Sequence, residues 1–248
     1  MLADGEKWPR LDWREWRDTA VTLQLWMQIV GKVRLALTPW VNHSWHVPYY
    51  LTARGLTTST ITVAGELMEM EFDFLDHLLR IRISTGQSAE LPLAPQSVAS
   101  FYRTVMETLH EMHVRVSIHR TPSELPDPVP FDRDTGHASY DANAAQRFWR
   151  ALVTIEPILM LFRSGFLGKV SPVHFFWGSF DLAVTRFSGR PAPLHPGGVP
   201  GLPDAVTREA YSHEVSSAGF WPGSPAYPRA AFYAYAYPVP EGYAKALV

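Results

Sequence analysis

The fold is decided at residues 69–83, which read EMEFDFLDHLLRIRI. In the first half of this stretch acidic residues alternate with Met and Phe, and in the second half Leu and Ile alternate with Arg. Alternation with a period of two places one residue type on each face of a β-strand. The stretch therefore predicts two neighbouring strands, each with one apolar and one charged face.

A turn at residues 76–77 would join these two strands into an antiparallel hairpin. A tight turn there places Asp73 opposite Arg80 and Glu71 opposite Arg82, so that opposite charges meet on one face of the sheet. The apolar residues then share the other face. The charges are best interpreted as a solvated sheet face rather than as a binding site.

Helical patterns lie on both sides of the hairpin. Asp12 is a predicted N-cap, and apolar residues recur at spacings of three and four from Trp16 to Val30, which is one face of a helix. Similar patterns predict helices over residues 96–112 and 141–162. Together with the hairpin, these helices predict an α+β fold in which antiparallel sheets pack with helices.

The two halves of the chain share a short motif. Gly31-Lys32-Val33 follows the first predicted helix and Gly168-Lys169-Val170 follows the third, and a strand led by His46 or His174 comes after each. We therefore hypothesise two copies of a helix, three-strand, helix unit, with a cleft at the seam between their sheets. The expected organisation is one integrated domain made of a first half at 1–120, a Pro-rich connection at 121–140 and a second half at 141–248.

Composition excludes several classes of protein. The 248 residues include no Cys, which excludes a cysteine nucleophile, a disulfide framework, an iron–sulfur cluster and Cys-ligated zinc. A net charge of −2 gives no attraction to nucleic acid or to an anionic membrane, and the sequence has neither a signal-peptide pattern nor an apolar run of membrane-spanning length. We expect a soluble cytoplasmic protein with no nucleic-acid or membrane partner, and its cofactors and oligomeric state stay open.

The densest polar and aromatic cluster is Asn42-His43-Ser44-Trp45-His46. Two imidazoles three residues apart could contact a ligand, place an acid/base pair or hold a metal ion. They could equally be buried, hydrogen-bonded core residues. The spacing matches no known zinc motif, so a metal enzyme that uses His and carboxylates is kept as an alternative.

Two further stretches have the mixture of polar and aromatic residues that suits a pocket wall. Residues 171–186 are interpreted as one central strand, in which Asp181 and Arg186 must be paired because a lone buried charge is costly. This strand is either core or pocket wall, and Gly178 permits the close approach of a ligand. Residues 208–221 are unusually polar for a strand and form either a pocket wall or an exposed edge.

The leading hypothesis is a His-rich, aromatic-walled small-molecule pocket, in which a His acts as base and a carboxylate orients it. The candidate catalytic residues are His46, His174, Asp181, His213 and Glu214. The candidate ligand-binding residues are Lys32, Asn42, His43, Trp45, Lys169, Trp177, Arg186 and Tyr211, of which the two lysines and the arginine would hold an anion. The alternative hypothesis is a non-catalytic interaction or structural protein whose exposed aromatic residues contact a partner.

At these motifs the chain resembles a bacterial family of uncharacterised proteins, domain of unknown function 5996. The matching stretches cover nearly the whole chain and include WMQIVGKVR at 26–34, HASYD at 137–141, and residues 42–48, 52–56, 72–74, 171–186 and 209–222. The resemblance implies no activity. Members of the family appear with further elements beyond position 248, so we expect the second half of this chain to be incomplete.

Overall fold

The computed structural model describes residues 8–245 and contains four α-helices in this range. They are α1 (Trp13–Leu37), α2 (Val98–Glu111), α3 (Ala142–Ser164) and α4 (Asp204–Ala210). The three helices that the sequence predicts are confirmed, and the side chain of Asp12 caps α1 by accepting a hydrogen bond from the backbone N–H of Arg14. Among residues 8–245, no helix is both long and apolar enough to cross a membrane.

In residues 8–245 ten strands form two antiparallel sheets, which confirms the α+β class. The first sheet contains β1 (Tyr50–Leu51), β2 (Gly55–Thr57), β3 (Ile61–Val63), β4 (Glu66–Asp73), β5 (Leu78–Ile83) and β6 (Ser88–Pro92). Its strand order is β1-β2-β4-β5-β6, and β3 also pairs with β4. The second sheet runs β10-β9-β8-β7 and contains β7 (His174–Phe176), β8 (Asp181–Pro191), β9 (His213–Trp221) and β10 (Ala231–Tyr237).

The deciding hairpin is formed by β4 and β5, but its register differs from the predicted one by two residues. Arg80 lies opposite Glu71 instead of Asp73. The shift follows from a longer turn, in which Asp73 Oδ1 accepts hydrogen bonds from the backbone N–H groups of Leu75 and Asp76, at 2.9 and 3.0 Å. A shift of two residues keeps every side chain on its predicted face. Arg80 therefore still reaches Asp73, diagonally, at 3.1 Å.

The hypothesis of a three-strand repeat is wrong. The first sheet has six strands and the second has four, and α4 is inserted between β8 and β9. The shared tripeptides also differ in structure, because residues 31–33 lie inside α1 whereas Gly168 lies in a loop with φ +149°. The second sheet is followed by a short 3-10 helix, Tyr243–Lys245. The further elements expected beyond position 248 lie outside the described residues, which end at 245.

Two stretches that the sequence predicts as single strands are divided. Residues 171–186 form the β7–β8 hairpin, and the chain reverses where Phe180 adopts φ +60°. The first three residues of 208–221 belong to α4, and only His213 onward is strand. Both changes alter which side chains share a face, because alternation does not continue through a turn or a helix.

The two sheets meet at one point and share one core. Tyr49, just before β1, exchanges two backbone hydrogen bonds with Phe175 of β7, at 2.8 and 2.9 Å. A continuous set of buried apolar residues joins α1, α2 and α3 to both sheets, with Trp26 of α1 stacked on Phe101 of α2 at 4.7 Å between ring centroids. Helix α1 therefore lies at the centre of the molecule. The division at 1–120, 121–140 and 141–248 stays a prediction.

Candidate active site

Two cavities of about 580 and 360 Å³ lie beside each other and share part of their lining. We call the larger one the apolar lobe, because its walls include Trp13, Val21, Leu25, Pro126, Val129 and Trp221. We call the smaller one the aromatic lobe, because its walls include Trp40, His43, Trp45, Phe187, Tyr211 and Tyr235. Residues that line both cavities form what we call the waist, and they are Glu124, Gly178, Ser179, Asp181 and Tyr233.

Asp181 is a buried carboxylate at the waist. It is the first residue of β8, and it accepts hydrogen bonds from the hydroxyl groups of Ser179 and Tyr233. Burial raises the pKa of Asp181, and the two hydroxyl donors offset part of that effect. No Lys, Arg or His among residues 8–245 forms an ion pair with it. The expected pairing of Asp181 with Arg186 is therefore wrong, since Arg186 packs its guanidinium on the ring of Phe162 at 3.5 Å.

Glu124 is the second carboxyl group of the waist. It is half-buried in the Pro-rich connection, has φ +59°, and donates its backbone N–H to Gly201 O at 3.0 Å. Burial, followed by the nearby charge of Asp181, raises the pKa of Glu124 to about 7. Its carboxyl group lies against Gly178. In the described part of the chain, no side chain donates a hydrogen bond to this carboxyl group.

Helix α1 holds both sides of the waist in place. Gln24, Gln28 and Lys32 are spaced by four residues and so lie on one face of the helix. The Gln28 amide donates to Ser123 O at 2.9 Å and accepts from Ser123 N at 2.7 Å, which fixes the residue before Glu124. Gln24 donates to the backbone oxygen of Gly178 at 2.7 Å. Long-range hydrogen bonds from one rigid helix therefore set the position of Glu124 relative to the start of β8.

His43 is the polar group of the aromatic lobe. It lies in a short 3-10 helix, Asn42–Ser44, with φ +61°, and its ring packs on Phe187 at 4.5 Å between centroids. Burial, followed by the charge of Lys169, lowers the pKa of His43, so the imidazole is neutral at neutral pH. Its Nδ1 atom is buried and has no hydrogen-bond partner among the described residues.

The three cations expected to hold an anion do not line either lobe. Lys32 donates to the backbone oxygen of Thr121 at 2.6 Å, and burial lowers the pKa of Lys32 to about 8. Lys169 is exposed and places its ammonium group 5.0 Å from the ring centroid of Trp45. Arg186 packs on Phe162. None of the three cations therefore reaches the waist, and the described residues place no other Lys or Arg side chain there.

The sequence-predicted site residues divide into two groups. His43, Trp45, Trp177, Asp181 and Tyr211 line the cavities. The others lie outside the lining, and they are Lys32, Asn42, His46, Lys169, His174, Arg186, His213 and Glu214. His174 is buried, and burial lowers its pKa to about 3. Glu214 pairs at 2.6 Å with Arg190 at the exposed end of β8. Their roles in function stay predictions.

Sequence reasoning missed Glu124 and Tyr233, and also a His–carboxylate pair. His137 Nδ1 lies 2.7 Å from Asp134 Oδ2, and both residues line the apolar lobe. His137 is part of the HASYD stretch that carries the family resemblance, which is the signal that could have identified it. Within residues 8–245, no group of three or more His, Asp or Glu residues could hold a metal ion, so the metal-enzyme alternative has no ligand set in this part of the chain.

The raised pKa of Glu124 predicts a pH-dependent gain of stability in Glu124→Gln. A folded-state pKa of about 7 against an ordinary value of 4.5 means that the folded state keeps a proton that the unfolded state loses. Glu124 therefore lowers the stability of the wild type as the pH rises from about 4.5 to 7. We expect Glu124→Gln to unfold at a higher urea concentration than the wild type at pH 8, with little difference at pH 4.5. The same difference at both pH values would contradict this prediction, and Glu107→Gln on the exposed face of α2 is the control.

The chain is an α+β protein with two antiparallel sheets around one helical core and a pair of carboxyl groups in a cleft beside α1. The model of a family of unknown function, DUF5996, matches residues 8–248, so the protein belongs to this family. Neither a curated protein nor a solved structure matches the chain.

Proposed function

We propose that the protein is an acid–base enzyme that acts on a small molecule bound across the waist. The observation that carries this proposal is the pair Glu124 and Asp181, two carboxyl groups in one cleft with no basic partner among residues 8–245. Two neighbouring carboxyl groups with different surroundings acquire different pKa values, and this separates an acid from a base. Perturbed carboxyl groups in a cleft are typical of catalytic sites.

The surroundings assign a role to each carboxyl group. Asp181 accepts hydrogen bonds from Ser179 and Tyr233, which favour its ionised form. Glu124 has no such donors among the described residues and is half-protonated near pH 7. Glu124 is therefore the group that gives a proton to the substrate or takes one from it, and Asp181 stabilises positive charge in the transition state.

The other lining residues bind and orient the small molecule. The rings of Trp45, Trp177 and Tyr211 supply apolar walls, and the unpartnered Nδ1 of neutral His43 supplies one hydrogen-bonding group. In this mechanism a carboxyl group transfers the proton, instead of the His that the sequence analysis predicts.

A comparison of the wild type with Glu124→Gln tests the proposal. Each protein is incubated with a pooled extract of small cellular metabolites, and the consumption of each compound is followed by mass spectrometry. We expect at least one compound to be consumed by the wild type and by the exposed control Glu107→Gln, and about 100-fold or more slowly by Glu124→Gln, since a positioned proton donor contributes about 10²–10⁴-fold.

Three results would overturn the proposal. Equal consumption by the wild type and Glu124→Gln would show that Glu124 transfers no proton. A compound retained with the protein on ultrafiltration but never converted would favour a non-catalytic binding protein. Neither consumption nor retention would favour the interaction or structural hypothesis.

A further inference from the structure

We propose that the small molecule is an organic cation, an amine or a quaternary ammonium compound, whose charge lies between the waist carboxyl groups and the aromatic lobe. This inference names the substrate class for the site of the proposed function and rests on that site. Four observations support it: the charge of the lining, the buried and unpaired carboxyl group of Asp181, the aromatic ring faces, and an imidazole without a hydrogen-bond partner.

The charged groups that line the two lobes are of one sign. The acidic lining residues are Glu124, Asp127, Asp134 and Asp181, and neither Lys nor Arg is among the described residues of the lining. A cleft lined by charges of one sign concentrates ligands of the opposite sign. An anionic ligand would place its own negative charge beside the carboxylate of Asp181, and burying two like charges together is costly.

Asp181 is exceptional among the buried carboxylates of the protein. In the described residues, four acidic side chains are buried, and the other three have a basic or imidazole partner. These three pairs are Glu71 with Arg82 at 3.2 Å, Asp73 with Arg54 at 2.5 Å, and Asp134 with His137 at 2.7 Å. Asp181 instead faces a cavity, so a bound cation would supply the missing partner and recover the cost of burying its charge.

The aromatic lobe is built to accept a positive charge. Trp45 and Phe187 already attract the ammonium group of Lys169, at 5.0 and 4.8 Å from their ring centroids. Lys169 is on the exposed surface, and Glu209 is close enough to offset its charge. The electron-rich ring faces of Trp and Tyr bind ammonium groups within about 6 Å. The rings of Trp40, Tyr211 and Tyr235 also line the lobe and have no Lys or Arg over them among the described residues, so they can accept a cation from the cavity.

His43 supplies the polar group that an amine needs. The residue is 8% exposed, it lines the aromatic lobe, and its buried Nδ1 has no partner among residues 8–245. A neutral imidazole can accept a hydrogen bond from an ammonium N–H group, and a buried polar atom without a partner carries an energetic cost. A ligand that donates to this atom removes that cost.

Binding of a cation is linked to the ionisation of Glu124. A positive charge near this carboxyl group favours its ionised form, so binding releases a proton around pH 7. The affinity for an amine that stays protonated is therefore expected to rise between pH 6 and pH 8. In the complex Glu124 then acts as the base of the proposed reaction.

Three probes of similar size and different charge test the inference on the full chain. They are 2-phenylethylammonium, 2-phenylethanol and phenylacetate, and their binding is measured by isothermal titration calorimetry at pH 8. We expect the ammonium compound to bind about 10-fold more tightly than the alcohol, as cation–π and ion-pair contributions of that order imply, and phenylacetate to bind more weakly than both.

Variants show whether the preference arises at the waist. Glu124→Gln and Asp181→Asn are expected to lose the 10-fold preference for the ammonium compound while keeping their affinity for the alcohol, and Glu107→Gln is expected to keep both. Glu124→Gln keeps the test decisive if Asp181→Asn fails to fold. Alcohol binding as tight as ammonium binding, or a preference unchanged in both waist variants, would overturn the inference. The proposed function fails separately, if Glu124→Gln consumes a metabolite as fast as the wild type does.

Discussion

Gly178→Ala is expected to inactivate the site while leaving the fold intact. A Cβ atom at this position would lie 2.8 Å from Glu124 Cδ and closer still to Oε1. These atoms are the end of a flexible side chain, so the carboxyl group can swing away from the waist at little cost to folding. A displaced Glu124 is more hydrated and farther from Asp181, and we expect its pKa to fall toward the ordinary value.

Carboxyl-carbon NMR titration measures that pKa directly, and urea unfolding checks that the variant is folded. Turnover of any compound that the wild type consumes should fall about 100-fold, because a displacement of about 1 Å in a catalytic group has an effect of that size. Gly165→Ala is the matched control, since a Cβ there meets its nearest neighbours at an ordinary 3.8 Å and residue 165 has φ −77°. An unchanged pKa of Glu124 in Gly178→Ala would contradict the prediction.

The elements that could be predicted from the sequence are those with a local cause. Helix α1 begins after Asp12 because that side chain caps its first turn, and α2 begins after Ser97 for the same reason. The alternation in residues 69–83 determines which side chains of β4 and β5 face the core. Each of these signals lies within a few residues of the structure that it produces.

The elements that could not be predicted depend on contacts between distant parts of the chain. Phe180 ends the apparent strand 171–186 by adopting φ +60°, a backbone conformation that is unusual for a bulky residue. It does so because its ring is buried against Phe148 of α3 and Phe175 of β7, at 5.1 and 5.3 Å between centroids. No Gly or Asn at this position signals the turn, so the sequence pattern reads as one continuous strand.

In the candidate site, too, some residues have a local signal in the sequence and others depend on contacts between distant parts of the chain. Asp181 could be recognised because a charged residue within an apolar stretch requires an explanation. Glu124 could not, because it lies in a Pro-rich segment typical of a surface connection and has no apolar periodicity around it. What brings the two together is the face of α1 that carries Gln24 and Gln28, whose partners are set by tertiary packing.

Gly31→Ala is expected to destabilise the protein by about 2–4 kcal/mol, although the same change inside a helix ordinarily stabilises it by about 0.5–1 kcal/mol. A Cβ on this residue of α1 would lie 2.5 Å from Trp177 Cδ1 and 2.7 Å from Cε2. Trp177 is buried, and its indole N–H donates to Val47 O at 3.0 Å. Overpacking costs about 1–3 kcal/mol, and loss of that hydrogen bond costs about 1–3 kcal/mol more, which together exceed the gain in helix propensity.

A double-mutant cycle with Trp177→Leu separates this clash from a general weakening of α1. Trp177→Leu alone costs about 2–4 kcal/mol because it leaves a cavity, but it also removes the atoms that an Ala at position 31 would meet. Gly31→Ala should therefore cost little in the Trp177→Leu background, which corresponds to a coupling of about 2–4 kcal/mol in urea unfolding. Additive effects of the two changes would show that Gly31 is not required for the position of Trp177. Since Trp177 lines the aromatic lobe, Gly31→Ala should also weaken 2-phenylethylammonium binding in protein that remains folded.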